Sequence, residues 1–397
     1  MPNPMNIKCN LEPRSHFSYF HMSGQIMQDA LGKHLLGLAP YGMTDIGEVF
    51  ESYCQLPDTS EEAWINVWGS LAEKLEKQAE EKSETGFQVS AGELYLRSST
   101  YYRTALICYC DPNDERVKKY AQKAMENYDK SLALQNYPGK AVKIPYENTT
   151  LPGHVYLSPI AKEKAPIMIL IPGRDTWADD TRWLFDSLLK RGIHCLTFDG
   201  PGQASVLRLQ NIPFRSDFEN VMKPVIDFIE ENVPEADADR IGALGISFGA
   251  FLLPRACAFD KRIKVCITDP GNIAWGTHFA DIFSKALKMP KMLRPKTLDN
   301  LMADYAYKHG VDLDHVIPEL RKYDNSDILD QVTCKVLVLD GTAEITPGQA
   351  EKFYDALNNC EKHFHQFDTD STAEHHSQMG GYQVAAEYIC DWIKTEL

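Results

Sequence analysis

The pattern of hydrophobic and polar residues changes near residue 139 and divides the chain into two regions. In the first region apolar residues recur at helical spacing, which predicts helices over residues 61–84, 89–109 and 115–134. We therefore interpret residues 1–138 as an all-helical N-terminal domain. No repeat of fixed period accompanies the helices, so the pattern does not indicate a helical solenoid.

Beyond residue 139, short and almost wholly apolar runs alternate with helical stretches. Eight strands are predicted, at residues 141–146, 154–157, 167–171, 193–198, 241–244, 265–268, 336–339 and 363–367, and the five from 167–171 to 336–339 are the apolar runs. The first two are expected to form an antiparallel lead-in pair. Helical patterns lie between most of the others, at residues 181–190, 217–231 and 346–357. This alternation predicts an α/β domain over residues 139–397, with a mostly parallel eight-stranded sheet flanked by helices.

One long segment of the second region, residues 271–330, shows no strand pattern. Helical spacing is present at 278–288 and 297–308. Covers of active sites are commonly built from insertions of this size, so we interpret the segment as a helical lid.

Composition narrows the classes of function. The net charge of −15, from 41 basic and 56 acidic residues, disfavours nucleic-acid binding, which depends on cationic contacts to phosphate. The ten cysteines are scattered without a C-x-x-C pair, so neither a zinc site nor a disulfide framework is expected. The N-terminal segment has no apolar leader, and no apolar run reaches the length of a membrane span. We therefore expect a cytoplasmic protein with no membrane partner.

The most informative motif is Gly-x-Ser-x-Gly at residues 245–249, between the strand predicted at 241–244 and an apolar helix. In this context the pattern is typical of a nucleophile elbow, a sharp turn that exposes a serine hydroxyl above a sheet. Side chains at positions 245 and 249 would collide with the neighbouring strand and helix, which accounts for the glycines. The motif predicts Ser247 as the nucleophile.

A serine nucleophile needs a base, and the base needs an orienting acid. In this kind of sheet the chain order is serine, acid, histidine. Glu344 and Asp340 are the candidate acids after strand 336–339, and Glu344 is favoured because its loop lies beyond the carboxyl end of the strand. His375 and His376 both follow the last strand, and spacing from the serine does not separate them.

The reaction also needs an oxyanion hole. The backbone N–H of Phe248, one residue past the nucleophile, is one expected donor. The second is expected from Arg174 or Asp175, in the loop after strand 167–171. No phosphate-binding glycine motif follows a strand, and neither a cofactor nor a metal is implied.

Four segments together resemble the α/β-hydrolase superfamily, in the branch with a helical N-terminal domain. They are Arg-Ser-Ser-Thr-Tyr-Tyr-Arg-Thr-Ala at 97–105, Phe-Asp-Gly-Pro-Gly-Gln at 198–203, Gly-Ile-Ser-Phe-Gly at 245–249 and Ala-Glu-His-His-Ser-Gln-Met-Gly at 373–380. The branch includes the dihydroxy-pseudo-oxynicotine hydrolase of bacterial nicotine breakdown. It also includes fungal hydrolases that shorten polyketide pigments and hydrolases of cytochalasan-type pathways.

The resemblance bears on the choice between the two histidines. The branch pattern is approximately A-x-x-H-C-Q-x-G, and its alignment with residues 373–380 implies His376 as the base. Ser377 then stands where the family often has cysteine, and Glu344 stands where many relatives have aspartate.

The resemblance also implies roles for the N-terminal domain as a cap and dimerisation domain. Arg97, Tyr101 and Tyr102 would bind substrate at the mouth of the pocket, the alternative being ordinary helix packing. A homodimer is expected by the same resemblance.

We accordingly predict a serine-dependent hydrolase whose partner is a small-molecule substrate. It would cleave a C–C bond next to a ketone, or an ester, in a hydrophobic aromatic or polyketide-type compound of secondary metabolism or catabolism. One alternative is an intramolecular condensation or cyclisation on the same fold, with His376 as general base. A further alternative is a non-catalytic ligand-binding protein, because fold does not fix function.

Overall fold

A computed structural model describes residues 21–109 and 111–397 of the chain. Residues 1–20, on which the expectation of no leader rests, and Cys110 lie outside the described residues. Within them, no helix is both long enough and apolar enough to cross a bilayer.

The N-terminal region is helical, as the apolar spacing predicts. Its described α-helices are α1 (Ile26–Leu38), α2 (Ile46–Gln55), α3 (Glu61–Glu84), α4 (Gln88–Ile107) and α5 (Glu115–Leu134). Side-chain caps begin three of these helices. The Asp45 carboxylate accepts the Gly47 N–H at 2.8 Å, the Ser60 hydroxyl accepts the Ala63 N–H at 3.1 Å, and the Asp114 carboxylate accepts the Arg116 N–H at 2.8 Å. Such a cap stabilises a helix by about 1 kcal/mol.

The second region contains an eight-stranded sheet in the order β1-β2-β4-β3-β5-β6-β7-β8. The strands are β1 (Gly139–Tyr146), β2 (Thr149–Tyr156), β3 (Ala165–Ile171), β4 (His194–Phe198), β5 (Ala236–Ile246), β6 (Ile263–Asp269), β7 (Lys335–Gly341) and β8 (Lys362–Phe367). The pairs β1–β2 and β2–β4 are antiparallel, and all others are parallel. The α/β-hydrolase fold class predicted from the sequence is confirmed.

Helices cover both faces of the sheet. They are α6 (Arg182–Leu189), α7 (Ala204–Gln210), α8 (Glu219–Asn232), α9 (Phe248–Phe259), α10 (Trp275–Leu287), α11 (Lys296–Lys308), α12 (Val316–Leu320), α13 (Gln349–Ala356) and α14 (Tyr382–Glu396). Helix α13 begins three residues later than its apolar pattern predicts, because Gly348 has φ 73° and lies in the left-handed region that an α-helix excludes.

Alternate residues of the central strands supply two separate apolar cores. Ile169 of β3 belongs to the core beneath α8 and α9, whereas its neighbour Leu170 belongs to the core beneath α6 and α14. Both side chains are fully buried. The central strands are therefore covered on both faces. A site is expected at the carboxyl ends of the parallel strands, which the helices do not cover in this way.

The helical region packs directly on the sheet domain. Arg103 of α4 forms a buried ion pair of 3.0 Å with Asp180, and Arg208 of α7 donates to the Leu106 carbonyl at 3.1 Å. Buried polar contacts of this kind fix the orientation of one region on the other more narrowly than apolar contact does.

Candidate active site

Ser247 occupies a sharp turn between β5 and α9. Its backbone has φ 55° and ψ −121°, a conformation that costs a non-glycine residue about 1–3 kcal/mol. A Cβ atom at Gly245 would lie 2.3 Å from the Gly249 carbonyl oxygen, and one at Gly249 would lie 2.5 Å from the Pro172 carbonyl oxygen. Neither position has room for a side chain, which is the steric requirement that the motif predicts.

His376 lies between Ser247 and Glu344. Its Nε2 is 2.8 Å from the Ser247 Oγ, and its Nδ1 is 2.6 Å from the Glu344 Oε1. With the ring proton on Nδ1, the imidazole donates to the carboxylate and accepts the serine hydroxyl proton. The Glu344 side chain is 2% exposed and that of His376 is 12% exposed, so solvent screens this pair weakly.

The carboxylate changes the basicity of the imidazole. Burial alone would lower the pKa of His376, but the adjacent Glu344 charge and its hydrogen bond outweigh burial and raise the pKa above its usual value. An imidazole with a raised pKa is a stronger base toward a serine hydroxyl, and it remains protonated to a higher pH.

The alternative acid, Asp340, makes different contacts. Its Oδ2 accepts a hydrogen bond from the Gln366 side chain of β8 at 2.9 Å, and burial raises its pKa. Glu344 reaches the imidazole because its loop extends past the end of β7, and the Ile345 N–H donates to the same Oε1 at 2.6 Å. The structure therefore brings Glu344, and not Asp340, to the histidine.

The alternative base, His375, is turned toward another carboxylate. Its Nε2 is 3.4 Å from the Glu374 Oε1, and its backbone forms an isolated β-bridge with Ala343. The structure brings His376, and not its neighbour, within hydrogen-bonding distance of the serine.

The predicted oxyanion loop lies against the nucleophile. A Cβ atom at Gly173 would be 3.0 Å from the Ser247 Cβ and 3.4 Å from its Oγ. Gln203 holds this loop, because its Nε2 donates to the carbonyls of Pro172 at 2.6 Å and of Gly173 at 3.2 Å. Phe248 is the first residue of α9, where the backbone N–H groups have no helical acceptor.

The side chains of Arg174 and Asp175 bond to helix α11, in the segment predicted as a lid. Arg174 pairs with Asp304 of α11 and lies over the Tyr305 ring, 3.7 Å from its centroid. The Lys308 Nζ is 2.5 Å from the Asp175 carboxylate and 3.0 Å from that of Asp304. Burial would raise the pKa of Asp175, but Lys308 and Arg174 lower it far below its usual value. These four charges join helix α11 to the oxyanion loop.

Aromatic side chains of the lid surround the elbow. The Trp275 ring lies 6.3 Å from that of His376 and 5.6 Å from that of Phe248. His309 contacts the Phe248 ring at 6.0 Å and stacks on Tyr305. Burial, with the charges of Arg174 and Lys308, lowers the pKa of His309 to about 3. This imidazole is therefore neutral and packs with the other aromatic rings. The elbow therefore packs against a buried aromatic cluster.

The three predicted substrate-binding residues lie elsewhere. Arg97 Nε is 3.0 Å from the Glu48 carboxylate, the Tyr101 hydroxyl donates to the same carboxylate at 2.8 Å, and the Tyr102 hydroxyl donates to Glu76 at 2.7 Å. Both tyrosines are fully buried. The structure does not bring this group to the serine, and its contacts correspond to the helix-packing alternative.

Some residues around the site were not found from the sequence. Asp269 and Lys308 are buried and Asp304 is partly buried, but they stand in runs whose pattern predicts only a strand end and a lid helix. Among the described residues, no group of three or more His, Cys, Asp or Glu side chains is arranged to hold a metal ion.

Comparison with known proteins decides the family. The family model described as FrsA-like, Esterase FrsA-like, matches residues 58–347, well over half of the chain. The chain belongs to the FrsA-like esterase family. This FrsA-like protein is also similar over most of its length to a solved structure, that of the 2,6-dihydroxy-pseudo-oxynicotine hydrolase. The TM-score is 0.71 at 21% identity, covering 91% of this chain and 95% of the other, and this likeness concerns the fold.

The similar curated proteins are fungal hydrolases. The 20-hydroxy-prefusarin hydrolase FUS2 of Gibberella moniliformis is 32% identical over 60% of this chain and 59% of its own length. The hydrolyase ccsE of Aspergillus clavatus is 34% identical over 68% and 66%, and the hydrolyase poxO of Penicillium oxalicum is 30% identical over 78% and 82%. The chain thus spans less than two thirds of the first two relatives and most of the third.

Proposed function

We propose that this protein is a serine hydrolase that cleaves a C–C bond next to a ketone, or an ester, in a hydrophobic aromatic or polyketide-type small molecule of secondary metabolism. The observation that carries the proposal is the continuous hydrogen-bonded path from the Ser247 Oγ through His376 to Glu344, with distances of 2.8 and 2.6 Å. The similarity to fungal hydrolases supports the substrate class.

In the first half-reaction Ser247 attacks the substrate carbonyl while His376 takes the hydroxyl proton. The resulting imidazolium is stabilised by Glu344, as in other serine triads. The tetrahedral oxyanion would be bound by the N–H of Phe248 and by that of Arg174 or Asp175. When the intermediate collapses, the C–C or C–O bond breaks, and His376 returns its proton to the departing carbanion or alkoxide.

The second half-reaction releases the acyl group. A water molecule enters in place of the first product, His376 removes a proton from it, and the hydroxide adds to the acyl carbonyl. Collapse of this second tetrahedral intermediate expels Ser247, which recovers the proton from His376. The sum is consumption of one water and formation of a carboxylic acid and either a ketone-derived C–H compound or an alcohol.

The test is covalent labelling of the full chain with a fluorophosphonate, read by mass spectrometry after proteolysis. The wild type should carry one adduct on the peptide with Ser247, and Ser247→Ala should carry none. His376→Gln should slow labelling by roughly 10²–10⁴-fold, the range that loss of a triad member produces.

His375→Gln is the matched control, because it changes the adjacent imidazole, which lies 3.4 Å from Glu374. It should label at close to the wild-type rate. Labelling of wild type and Ser247→Ala alike would exclude the serine mechanism, and equal loss in both histidine variants would contradict the assignment of the base.

A further inference from the structure

Asp269 ends strand β6 directly beside the nucleophile elbow. Its register partner on β5 is Ile246, the residue before Ser247. The Asp269 carbonyl accepts the Ser247 N–H at 2.6 Å and lies 3.4 Å from the Ser377 hydroxyl, which donates to it. One backbone carbonyl therefore contacts both the nucleophile and the residue after the base.

The side chain of Asp269 makes a second link to the base. Its Oδ1 accepts the Gln378 Nε2 at 2.9 Å, two residues beyond His376. The residue is 0% exposed, and its Oδ2 is buried without a hydrogen-bond partner among the described residues. A buried carboxyl oxygen without a donor is costly, which indicates that it is retained for a reason other than stability.

Both segments that Asp269 contacts are strained. Ser247 has φ 55°, Ser377 has φ 50° and Gln378 has φ 49°, all in the left-handed region. Each such residue costs on the order of 1–2 kcal/mol and persists only where surrounding contacts hold it. The hydrogen bonds that Asp269 accepts from Ser247, Ser377 and Gln378 are contacts of that kind.

We propose that Asp269 is a positioning residue that holds the histidine loop and the nucleophile elbow in register, through the Gln378 hydrogen bond, and that its carboxyl charge adds to that of Glu344 on His376. This proposal rests on the proposed function for its effect on rate, although its effect on His376 is measurable without turnover.

The electrostatic surroundings of Asp269 support the proposed effect of its carboxyl charge on His376. Burial raises the pKa of Asp269 to about 7, Gln378 and His376 lower it, and Glu344 and Asp340 raise it. Tyr382 of α14 also faces this carboxyl and stays neutral, because burial raises the pKa of its hydroxyl far above the usual value. The Asp269 charge in turn raises the pKa of His376, in the same direction as Glu344, and Asp175 contributes in that direction too.

Two variants separate the Asp269–Gln378 hydrogen bond, which tethers the histidine loop, from the carboxyl charge of Asp269. Asp269→Asn keeps an oxygen that can accept from Gln378 but removes the charge. Gln378→Leu removes the tether and leaves the carboxyl. Gln366→Leu is the matched control, because Gln366 makes the same kind of bond, also of 2.9 Å, to Asp340, which does not contact the base.

The rate of fluorophosphonate labelling of Ser247 is measured from pH 5 to 9 for each variant. Gln378→Leu should lower the plateau rate roughly 10- to 100-fold, the effect of a small displacement of a reacting group, whereas Gln366→Leu should stay within about 3-fold. Asp269→Asn should keep most of the plateau rate and move the midpoint of the acidic limb to lower pH, since His376 loses a neighbouring negative charge.

The titration midpoint of the His376 imidazole is measured independently by NMR. Its ring signals are assigned as those that are absent in His376→Gln. A midpoint unchanged in Asp269→Asn, or equal plateau rates in the two glutamine variants, overturns the proposal. If the NMR midpoint falls while no protein labels at Ser247, Asp269 acts on His376 as proposed and the serine-hydrolase function fails. Should Asp269→Asn not fold, as judged by its thermal unfolding, the two glutamine variants decide.

Discussion

At the scale of single residues, the site depends on the reach of one carboxylate. Glu344 has one more methylene than aspartate, and its loop places the Oε1 at 2.6 Å from the imidazole and at 2.6 Å from the Ile345 N–H. The shorter Asp340 sits at the strand end and bonds to Gln366 instead. Two carboxylates four residues apart therefore have separate tasks, set by where the strand stops.

This separation predicts unequal effects of neutralising the two acids. Glu344→Gln keeps the length of the side chain but loses the charge that stabilises the imidazolium, so the labelling rate of Ser247 should fall roughly 10²–10⁴-fold. It should also move the acidic limb of the pH–rate profile to lower pH, because Glu344 raises the pKa of His376. Asp340→Asn should retain the rate within about 3-fold. Equal losses in both variants would contradict the assignment of the acid.

Tyr101 offers a prediction about packing rather than catalysis. Its hydroxyl donates to Glu48 at 2.8 Å and accepts the Asp45 N–H at 3.0 Å, inside the helical region. Tyr101→Phe should lower the free energy of unfolding by about 0.5–1.5 kcal/mol, the net contribution of a hydrogen bond, with no change in KM for a p-nitrophenyl ester. A raised KM at unchanged stability would instead restore the substrate-binding role predicted from the sequence.

Single residues also show which parts of the site could be predicted from the chain. Ser247 and the pair of histidines follow from local patterns, since a strand, two glycines and a helix leave few positions for a nucleophile. Asp269 could not be found in this way. Its importance comes from β6 lying beside β5, a neighbour relation that the order of strands along the chain does not state.

At the scale of elements, helix α11 belongs to the site as much as to the lid. Its Asp304 and Lys308 meet Arg174 and Asp175 of the predicted oxyanion loop in a cluster of two buried cations and two partly buried carboxylates. Helical spacing predicts α11 well but carries no information on its contacts, because the sequence pattern identifies a buried face without naming its partner. Helix α11 was therefore predictable as an element, and its contacts with the predicted oxyanion loop were not.

Removal of the Lys308 charge tests this link. Lys308 is 1% exposed, and Lys308→Met leaves the partly buried Asp175 and Asp304 with Arg174 as their remaining cation. The variant should cost about 1–3 kcal/mol of unfolding free energy in urea. The same variant should slow the labelling of Ser247, because the loop that lies against the serine loses its anchor. Lys322→Met is the control: its pair with Glu319 is largely exposed and should contribute at most about 1 kcal/mol. Similar losses of unfolding free energy in the two lysine variants would show that the cluster stabilises the fold no more than an exposed ion pair does.

At the scale of the whole molecule, polar groups join the helical region to the sheet domain. The change in the hydrophobic pattern at residue 139 marks the boundary between the two regions but does not indicate these contacts. His154 of β2 lies between Asp129 of α5 and Asp179, which follows β3 in the chain; its Nε2 is 2.8 Å from the first carboxylate and its Nδ1 is 3.0 Å from the second. The regions are distinct in sequence but share ionised groups in the structure. A homodimer remains a prediction of the sequence, to be measured by light scattering.

The shared histidine makes stability depend on pH in a definite direction. Burial alone would lower the pKa of His154, but Asp179 and Asp129 raise it to about 10. A group whose folded pKa exceeds its unfolded value of about 6.5 stabilises the fold fully below that unfolded value, and the contribution is lost as pH rises toward 10. The pKa of Asp179 is lowered by His154 against the effect of burial, so its contribution is lost at the acidic end, below about pH 4.

His154→Gln should therefore lower the Tm most near pH 6, by at least several degrees, and the difference from the wild type should shrink steadily between pH 6.5 and 10. The comparison with wild type at each pH cancels the titration of groups that His154 does not affect, and Asp179, with its lowered pKa, stays ionised across this range. His363→Gln is the control, because that imidazole is 44% exposed on its side chain and 3.4 Å from Glu361. A Tm difference that is constant from pH 6 to 10 would mean that His154 joins the two regions by packing alone, with no ionised bridge between them.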